Sequence, residues 1–525
     1  MSKKSLIFFI SAHHPYICHK EDDFLPQNEL LFTEISETYL PLLNMFSNLE
    51  ADGVSFKIMM CFSPALCALL SDPQIQSQYI EWLDKSIALG EKQIALFSSD
   101  DPRKCLAQKQ LDLSIQNKRD FTETYQQDLL SKFSYYAKKG NLELLATAAT
   151  NCYLPMYIDM PQAVQAQIEV GLISHRHYFE SAPEGFWLPY MGYVPGLESL
   201  IRPYGFHYTI LDAHGLLFGT PVPKNGIFSP AKCFNSLAVF ARDNASASGF
   251  EDDVEKIALK SVYRNQNRDI GFEESLENLA GFLNSKNVRL PTGYKYWSKE
   301  ENSIYNEQKA LESVKIDAQT FLDEKAKKLN QASELLENGD VLSLCCFDAR
   351  NFGPWWHEGI AWLEEIFRQI ANRNDIEMGH CSEFIQDKSK MPRITPFNSA
   401  GAGTGYAEDL IDHSNDWMIR YVRKAVERMI DLTERFPTDT GLKERSLNLA
   451  AKEVLLAQSG DWPRMAKDQD FDEYASERFK ESIGAFSTVY DSLGSNSIST
   501  EWLTNMERKH RIFPWVNYRA FSSKS

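Results

Sequence analysis

The sequence has no apolar run long enough to span a bilayer, no Cys-x-x-Cys pair and no excess of positive charge. Each absence removes a class of function. A transmembrane helix needs about 20 largely apolar residues, and Ser5-Leu-Ile-Phe-Phe-Ile10 falls far short. Lys3-Lys4 before that run imitates a secretory signal, but His13-His14-Pro15-Tyr16 stands where a cleavage region would be, so the segment reads as a first buried strand. Nine scattered cysteines, with Cys345 and Cys346 adjacent, predict free thiols in a reducing compartment rather than a disulfide framework or zinc ribbon. A formal net charge of −17 repels nucleic-acid phosphates and anionic lipid heads but leaves neutral sugars unaffected. The expectation is a soluble, cytoplasmic protein with no nucleic-acid or membrane partner, no cofactor and no resident metal.

What is present is enough apolar character for a large core: 525 residues, 43% of them hydrophobic, which suggests two or three structural units. The most informative stretch is Gly185-Phe-Trp-Leu-Pro-Tyr-Met-Gly-Tyr-Val-Pro-Gly196. Glu184 to Leu188 reads as a short strand stopped by Pro189, since proline cannot donate to a sheet ladder. Tyr190 therefore lies just past a strand end. Pro195 then opens an amphipathic run through Leu197, Leu200, Ile201 and Tyr204. His207 to Gly215 is a second short strand that delivers Asp212 and His214. In parallel α/β barrels, residues at the carboxyl ends of strands face the site. Taken alone, these segments support an α/β enzyme-like chain and an ordinary structural role equally.

Along the rest of the chain, helical spacing is expected at 29–50, 74–89, 121–138 and 302–336, and strands at 54–60, 140–155 and 341–347. His175 and His177 lie in an expected helix, where neighbours two apart face different ways, so they are not taken as ligands. Pro221, Pro223, Gly226, Pro230 and Asn244-Ala-Ser-Ala-Ser-Gly249 mark residues 219–254 as an inserted subdomain or loop. Amphipathic runs at 417–436, 446–458, 471–493 and 500–510 predict a carboxy-terminal helical domain.

Several tracts resemble glycoside hydrolase family 57, in its α-1,4-glucan branching enzyme and AmyC-like α-amylase branch. They are Ser11-Ala-His-His-Pro-Tyr16, Ala146-Thr-Ala-Ala-Thr-Asn-Cys-Tyr-Leu-Pro155, Trp187-Leu-Pro, Tyr208-Thr-Ile-Leu-Asp-Ala-His-Gly-Leu-Leu217, Pro291-Thr-Gly-Tyr-Lys-Tyr-Trp297, Asp348-Ala-Arg-Asn-Phe-Gly-Pro-Trp-Trp356 and Gln458-Ser-Gly-Asp-Trp462. The resemblance runs nearly end to end. It implies an incomplete (β/α)7 barrel over 1–218 and 255–400, the insertion at 219–254, and a helical domain over 401–525. It also implies Asp348 as the general acid/base and puts Tyr190 where the family has its glutamate nucleophile. His13, Asn151, Trp187, Asp212, His214, Trp355, Trp356, Asp461 and Trp462 become expected substrate-binding residues, with an α-1,4-glucan or maltooligosaccharide as the ligand. A protein partner is left open.

The site positions depart from the family pattern together: Ser11 and Asn151 replace histidines, Arg350 a glutamate, Pro354 a histidine and Ala400 a tryptophan. Retaining glycoside transfer needs two carboxyl groups about 5 to 5.5 Å apart. Tyrosine, with an unperturbed pKa of about 10, is a poor anion without an activating base. The expected function is therefore that of a glucan-binding or regulatory homologue with impaired retaining catalysis. The alternative is an active branching enzyme or α-amylase that uses Asp348 with an unusual nucleophile or with water activated by Asp212 or Asp461. A metal-dependent carbohydrate enzyme built on His13, Asp212, His214 and Asp348 is a third, weaker reading.

Overall fold

The computed structural model describes residues 2–17, 26–243, 252–283, 289–337, 339–467, 471–495 and 497–523. The Asn244–Gly249 turn expected from sequence lies outside the described residues. Nine strands among the described residues form one sheet: β1 (Lys4–Ala12), β2 (Ile58–Phe62), β3 (Leu142–Thr147), β4 (Gly185–Trp187), β5 (Tyr208–Leu211), β6 (Ala231–Lys232), β7 (Ala238–Ala241), β8 (Val341–Asp348) and β9 (Glu377–Met378). Their order is β6-β7-β5-β4-β3-β2-β1-β8, with β9 also on β1. From β7 round to β8 every pairing is parallel. The two ends of the parallel part of this curled sheet, β7 and β8, meet where the Asp243 amide donates to the Leu344 carbonyl at 2.8 Å. This is the expected incomplete (β/α)7 barrel.

The strands read as continuous apolar runs because both faces are covered. On β1, Ile7 and Phe9 point into the barrel interior with Met59, Cys61, Leu145, Ile210, Phe240, Leu342 and Leu344. The alternate residues Leu6, Phe8 and Ile10 pack outward against the surrounding helices. A period of two thus sorts one string of hydrophobic residues into two cores. Seven of the eight described cysteines are buried within this packing.

Several expected boundaries move. The strand expected at 54–60 begins at Ile58, where its amide first finds the Asn141 carbonyl at 3.0 Å; the Val54 amide still closes the preceding helix on Leu49. The helix expected at 121–138 is two pieces. Pro102–Arg119, which sequence spacing missed, runs on into a π turn at Asp120–Thr124. Gln126 and Gln127, both at positive φ, reverse the chain, and Asp128 caps a new helix, Leu129–Lys139, by accepting from the Ser131 amide at 3.0 Å. The stretch 219–254 is not wholly an insertion. Its residues Ala238–Ala241 are β7, fully buried and paired in parallel with β5, so the sheet itself passes through it.

The carboxy-terminal helices are Asp416–Arg435, Leu442–Ala457, Asp472–Ser495 and Thr500–Lys509. Leu447, Ala450, Val454 and Phe479 share the outer barrel core, so this helical domain is fastened onto the barrel. No described helix is long and apolar enough to cross a membrane.

Candidate active site

Four strand ends and one turn of the helical domain converge. His13 follows β1, Ser63 follows β2, Asn151 follows β3 and Tyr190 follows β4. The His13 ring lies 2.9 Å from Ser63 Oγ through Nδ1 and 2.8 Å from Asp461 Oδ1 through Nε2. Asn151 Nδ2 donates both to Asp461 Oδ1 at 2.9 Å and to the Tyr190 phenol oxygen at 3.0 Å. Ser459 Oγ donates to the other Asp461 oxygen at 2.7 Å. The 459–461 turn comes this close because Gly460 has no side chain: a Cβ there would lie 2.7 Å from the Tyr190 hydroxyl. Burial pushes the Asp461 carboxyl up, but the His13 charge and hydrogen bond, with Asn151 and Ser459, more than offset it and hold the group at about 2.

Tyr190 sits in the left-handed region, at φ 59° and ψ 13°, an uncommon conformation for a bulky residue. Its ring packs in a small apolar cluster with Tyr153, Ala400, Ala402, Ala407 and Leu410. The Gly401 amide donates to its carbonyl at 2.6 Å. Ala400 is fully buried there, so the position expected to have lost a stacking tryptophan is instead filled in by the Tyr190 neighbourhood. Burial above all, and the Asp461 charge next, push the phenol well above its ordinary range; Arg464 and Arg350 oppose this and lose.

Asp348 ends β8, in register with Ser11 on β1. Its carboxylate caps the following turn by accepting from the Arg350 amide at 2.9 Å, and the Asn351 side chain accepts the Asp348 amide at 2.8 Å. The Arg350 guanidinium then closes a two-pronged ion pair, Nε at 3.0 Å on one oxygen and Nη2 at 2.9 Å on the other. Burial raises the carboxyl, yet Arg350, helped by His13, holds it below the usual carboxylate range. Behind Arg350 lies Glu34, 4% exposed, which meets His14 Nδ1 at 3.2 Å and accepts from the Tyr39 hydroxyl at 3.3 Å. Sequence reading missed Glu34, Ser63 and Ser459. Ser63-Pro64, an N-cap followed by proline at the first helical position, carried a signal for a strand-to-helix corner; Glu34, inside a helix, carried none.

The other expected site residues lie elsewhere. Asp212 pairs with Arg242 at 2.5 Å and with His214 Nδ1 at 3.0 Å, and His214 Nε2 meets the Gly405 carbonyl at 2.9 Å. The loop that packs on Tyr190 therefore also touches His214, one loop away from the His13 network. The four residues of the metal reading do not gather, and among the described residues no group of three or more His, Cys, Asp and Glu could hold an ion. Trp356 is fully buried among core aromatics, and Trp462 is 3% exposed with its indole donating to the Leu456 carbonyl at 2.7 Å, so both are core residues, correcting the expectation of sugar contact. Trp187 is buried in the barrel interior, its ring 4.3 Å from that of Phe9. Trp355 is half-buried with the Lys299 ammonium 5.2 Å from its ring.

The order of the strands and the helical domain closing over their carboxyl ends have direct counterparts. Residues 7–396 match Glycosyl hydrolase family 57. The chain belongs to this family. Residues 421–521 match a second description, 1,4-alpha-glucan branching enzyme, C-terminal. Among family 57 proteins, the chain is similar to the 1,4-alpha-glucan branching enzyme of Thermococcus kodakarensis, 24% identical over 514 residues that cover 91% of this chain and 72% of that protein. The alpha-amylase AmyC of Thermotoga maritima has the same fold over 100% of both chains, with a TM-score of 0.91 and 29% identity. The branching enzyme of Pyrococcus horikoshii superposes with a TM-score of 0.86 at 21% identity, over 99% of this chain and 97% of that one.

Proposed function

We propose that this family 57 chain engages an α-1,4-glucan at the carboxyl ends of its strands and is impaired as a retaining glycosidase or transglycosidase, acting as a glucan-binding or regulatory homologue. The relatives' names, branching enzyme and alpha-amylase, supply the substrate class. The observation that carries the impairment is the Arg350 fork on Asp348. A general acid must hold a proton near neutral pH, and an arginine bound through both oxygens favours the charged form instead. The second carboxyl of a retaining pair is replaced by a phenol that burial keeps protonated. Cytoplasmic residence belongs to the same proposal and is supported by the free thiols of Cys61, Cys67, Cys105, Cys152, Cys233 and Cys381.

The active reading draws support from one feature, the His13–Asp461 pair, because Asp461 is held ionised as a base must be. It still lacks a proton donor for the leaving group, since Asp348 is held ionised too. Long incubation with amylose, counting new reducing ends and α-1,6 branches against Asp348→Ala, separates the two. No difference between the proteins, together with maltooligosaccharide binding in calorimetry, is the expected result. Turnover that vanishes in the mutant would defeat the proposal, and absence of any maltooligosaccharide binding would defeat its glucan half.

A further inference from the structure

The loop over Tyr190, residues 399–410, is tied to the barrel through its backbone. Tyr193 and Ser399 form a bridge, the Gly401 amide donates to the Tyr190 carbonyl, and the Tyr153 hydroxyl donates to the Tyr406 carbonyl at 3.4 Å. A further tie is the side chain of His214, which stands in the short helix Ala213–Leu217 after β5.

Both ring nitrogens of His214 meet oxygens that can only accept. Nδ1 lies 3.0 Å from Asp212 Oδ1, and Nε2 lies 2.9 Å from the Gly405 carbonyl oxygen. Asp212 meets the ring as a carboxylate, since Arg242, just past β7, takes its other oxygen at 2.5 Å. A neutral imidazole carries one N–H and an imidazolium two, so both hydrogen bonds are made together only when the ring is charged. His13 differs, because one of its nitrogens meets a serine hydroxyl, which can donate or accept. The close approach of the loop is built in: Gly405 has φ 109°, and a Cβ there would lie 2.8 Å from His214 Cε1. The ionisable groups around His214 come from three elements: Asp212 at the end of β5, Arg242 past β7, and Tyr406 and Glu408 on the loop. The Tyr406 ring lies 5.3 Å from the imidazole, and Glu408 turns back to accept from the Thr404 amide at 2.6 Å.

Loss of one proton has a direction. The remaining N–H goes to the carboxylate, the stronger acceptor. Nε2 then turns a lone pair toward the Gly405 carbonyl oxygen, and repulsion replaces the hydrogen bond. We propose that His214 is a proton-operated latch: charged, it fastens the 399–410 loop over Tyr190; neutral, it releases the loop and opens that side of the strand ends. The inference does not depend on which ligand the strand ends take.

The test is hydrogen exchange of the full chain at about pH 5.5 and about pH 8.5, which bracket the range where histidines ordinarily change charge. Protection is taken relative to the intrinsic exchange rate at each pH, with amides between β1 and β2 as the reference. The expected wild-type result is at least about a tenfold fall in protection of residues 400–407 at the higher pH, beyond any change in the reference. In His214→Gln, whose side chain does not titrate, loop protection should be equal at the two pH values. Gly405→Ala, which pushes the loop off the ring, should leave the loop unprotected at both. Wild-type loop protection that does not change with pH, or that changes as much in His214→Gln, would overturn the proposal. Nitrogen NMR of histidine-labelled wild type supplies a readout that a folding defect cannot mimic: both His214 nitrogens should carry protons wherever the loop is protected. A singly protonated ring beneath a protected loop would also overturn the proposal.

Discussion

Arg350 grips both oxygens of Asp348, Nε at 3.0 Å and Nη2 at 2.9 Å, from two residues along the same turn. Because the pair is local, it forms whenever the turn forms and needs no substrate to close it. Replacing Arg350 with Glu or Gln removes the largest influence that lowers the carboxyl. Without that influence, the Asp348 pKa should rise from its present depressed position. Carboxyl-carbon NMR titration of labelled protein reads this directly; an unchanged or lower value in Arg350→Gln would mean that Arg350 does not control the group.

Asp461 makes an acid-stability prediction. Its folded-state pKa, about 2, lies below the ordinary 3.8. A depressed carboxyl contributes stability that is present in full above about pH 4 and is lost as pH falls toward 2. The contribution is about 2 kcal/mol at neutral pH. Urea midpoints between pH 6 and pH 2.5 should fall less steeply in Asp461→Asn than in the wild type, and His13→Phe should lose stability at neutral pH.

Glu143 makes the opposite prediction. It lies on β3 inside the barrel, accepts from the Tyr208 hydroxyl at 2.7 Å and Ser382 Oγ at 3.0 Å, and burial raises it to about 7. The folded protein therefore holds a proton between about pH 4.5 and 7 that the unfolded chain releases, so stability falls as pH rises through that window. Glu143→Gln should be the more stable protein at pH 8, by on the order of 1 to 3 kcal/mol, and the difference should vanish by pH 4.

Tyr190→Phe removes the acceptor of one Asn151 hydrogen bond while leaving the other, to Asp461, in place. The expected cost is about 1 kcal/mol, with no change in any residual amylose turnover. A large loss of turnover would identify the phenol as the nucleophile. Gly460→Ala, whose methyl group would meet the phenol oxygen at 2.7 Å, should displace the ring and cost more than Tyr190→Phe does.

Much of this was legible in the sequence, and the exceptions share a cause. The long apolar strands β1 and β8, the Pro189 stop and the amphipathic carboxy-terminal helices all write their structure in local pattern. So does the placement of His13, Asn151 and Tyr190 at strand ends. The Pro102–Arg119 helix was missed because few of its residues are buried, so apolar spacing is weak. Ala238–Ala241 was hidden by turn residues on either side. Trp356 and Trp462 read as sugar platforms because a tryptophan beside a catalytic motif carries no information about which way it faces; both face the core. Arg350 was visible as a substitution, but its grip on Asp348 depends on the turn geometry and is not written in spacing.

Asp243 gives the join between β7 and β8 a character that the rest of the sheet lacks. Beside the single amide bond to Leu344, its carboxylate accepts from Ser343 Oγ at 2.6 Å and pairs with Lys325 and Lys328 from the long outer helix. Elsewhere neighbouring strands are laced by ladders; here one ionised side chain bolts two staves and the hoop around them. Burial opposes that charge, yet the two lysines keep the carboxyl below its ordinary range. The barrel thus has a preferred line of parting, and acid is the agent that unfastens it, so on acidification the protection factors of amides along this join, taken relative to the intrinsic exchange rate at each pH, should fall while those between β1 and β2 are kept.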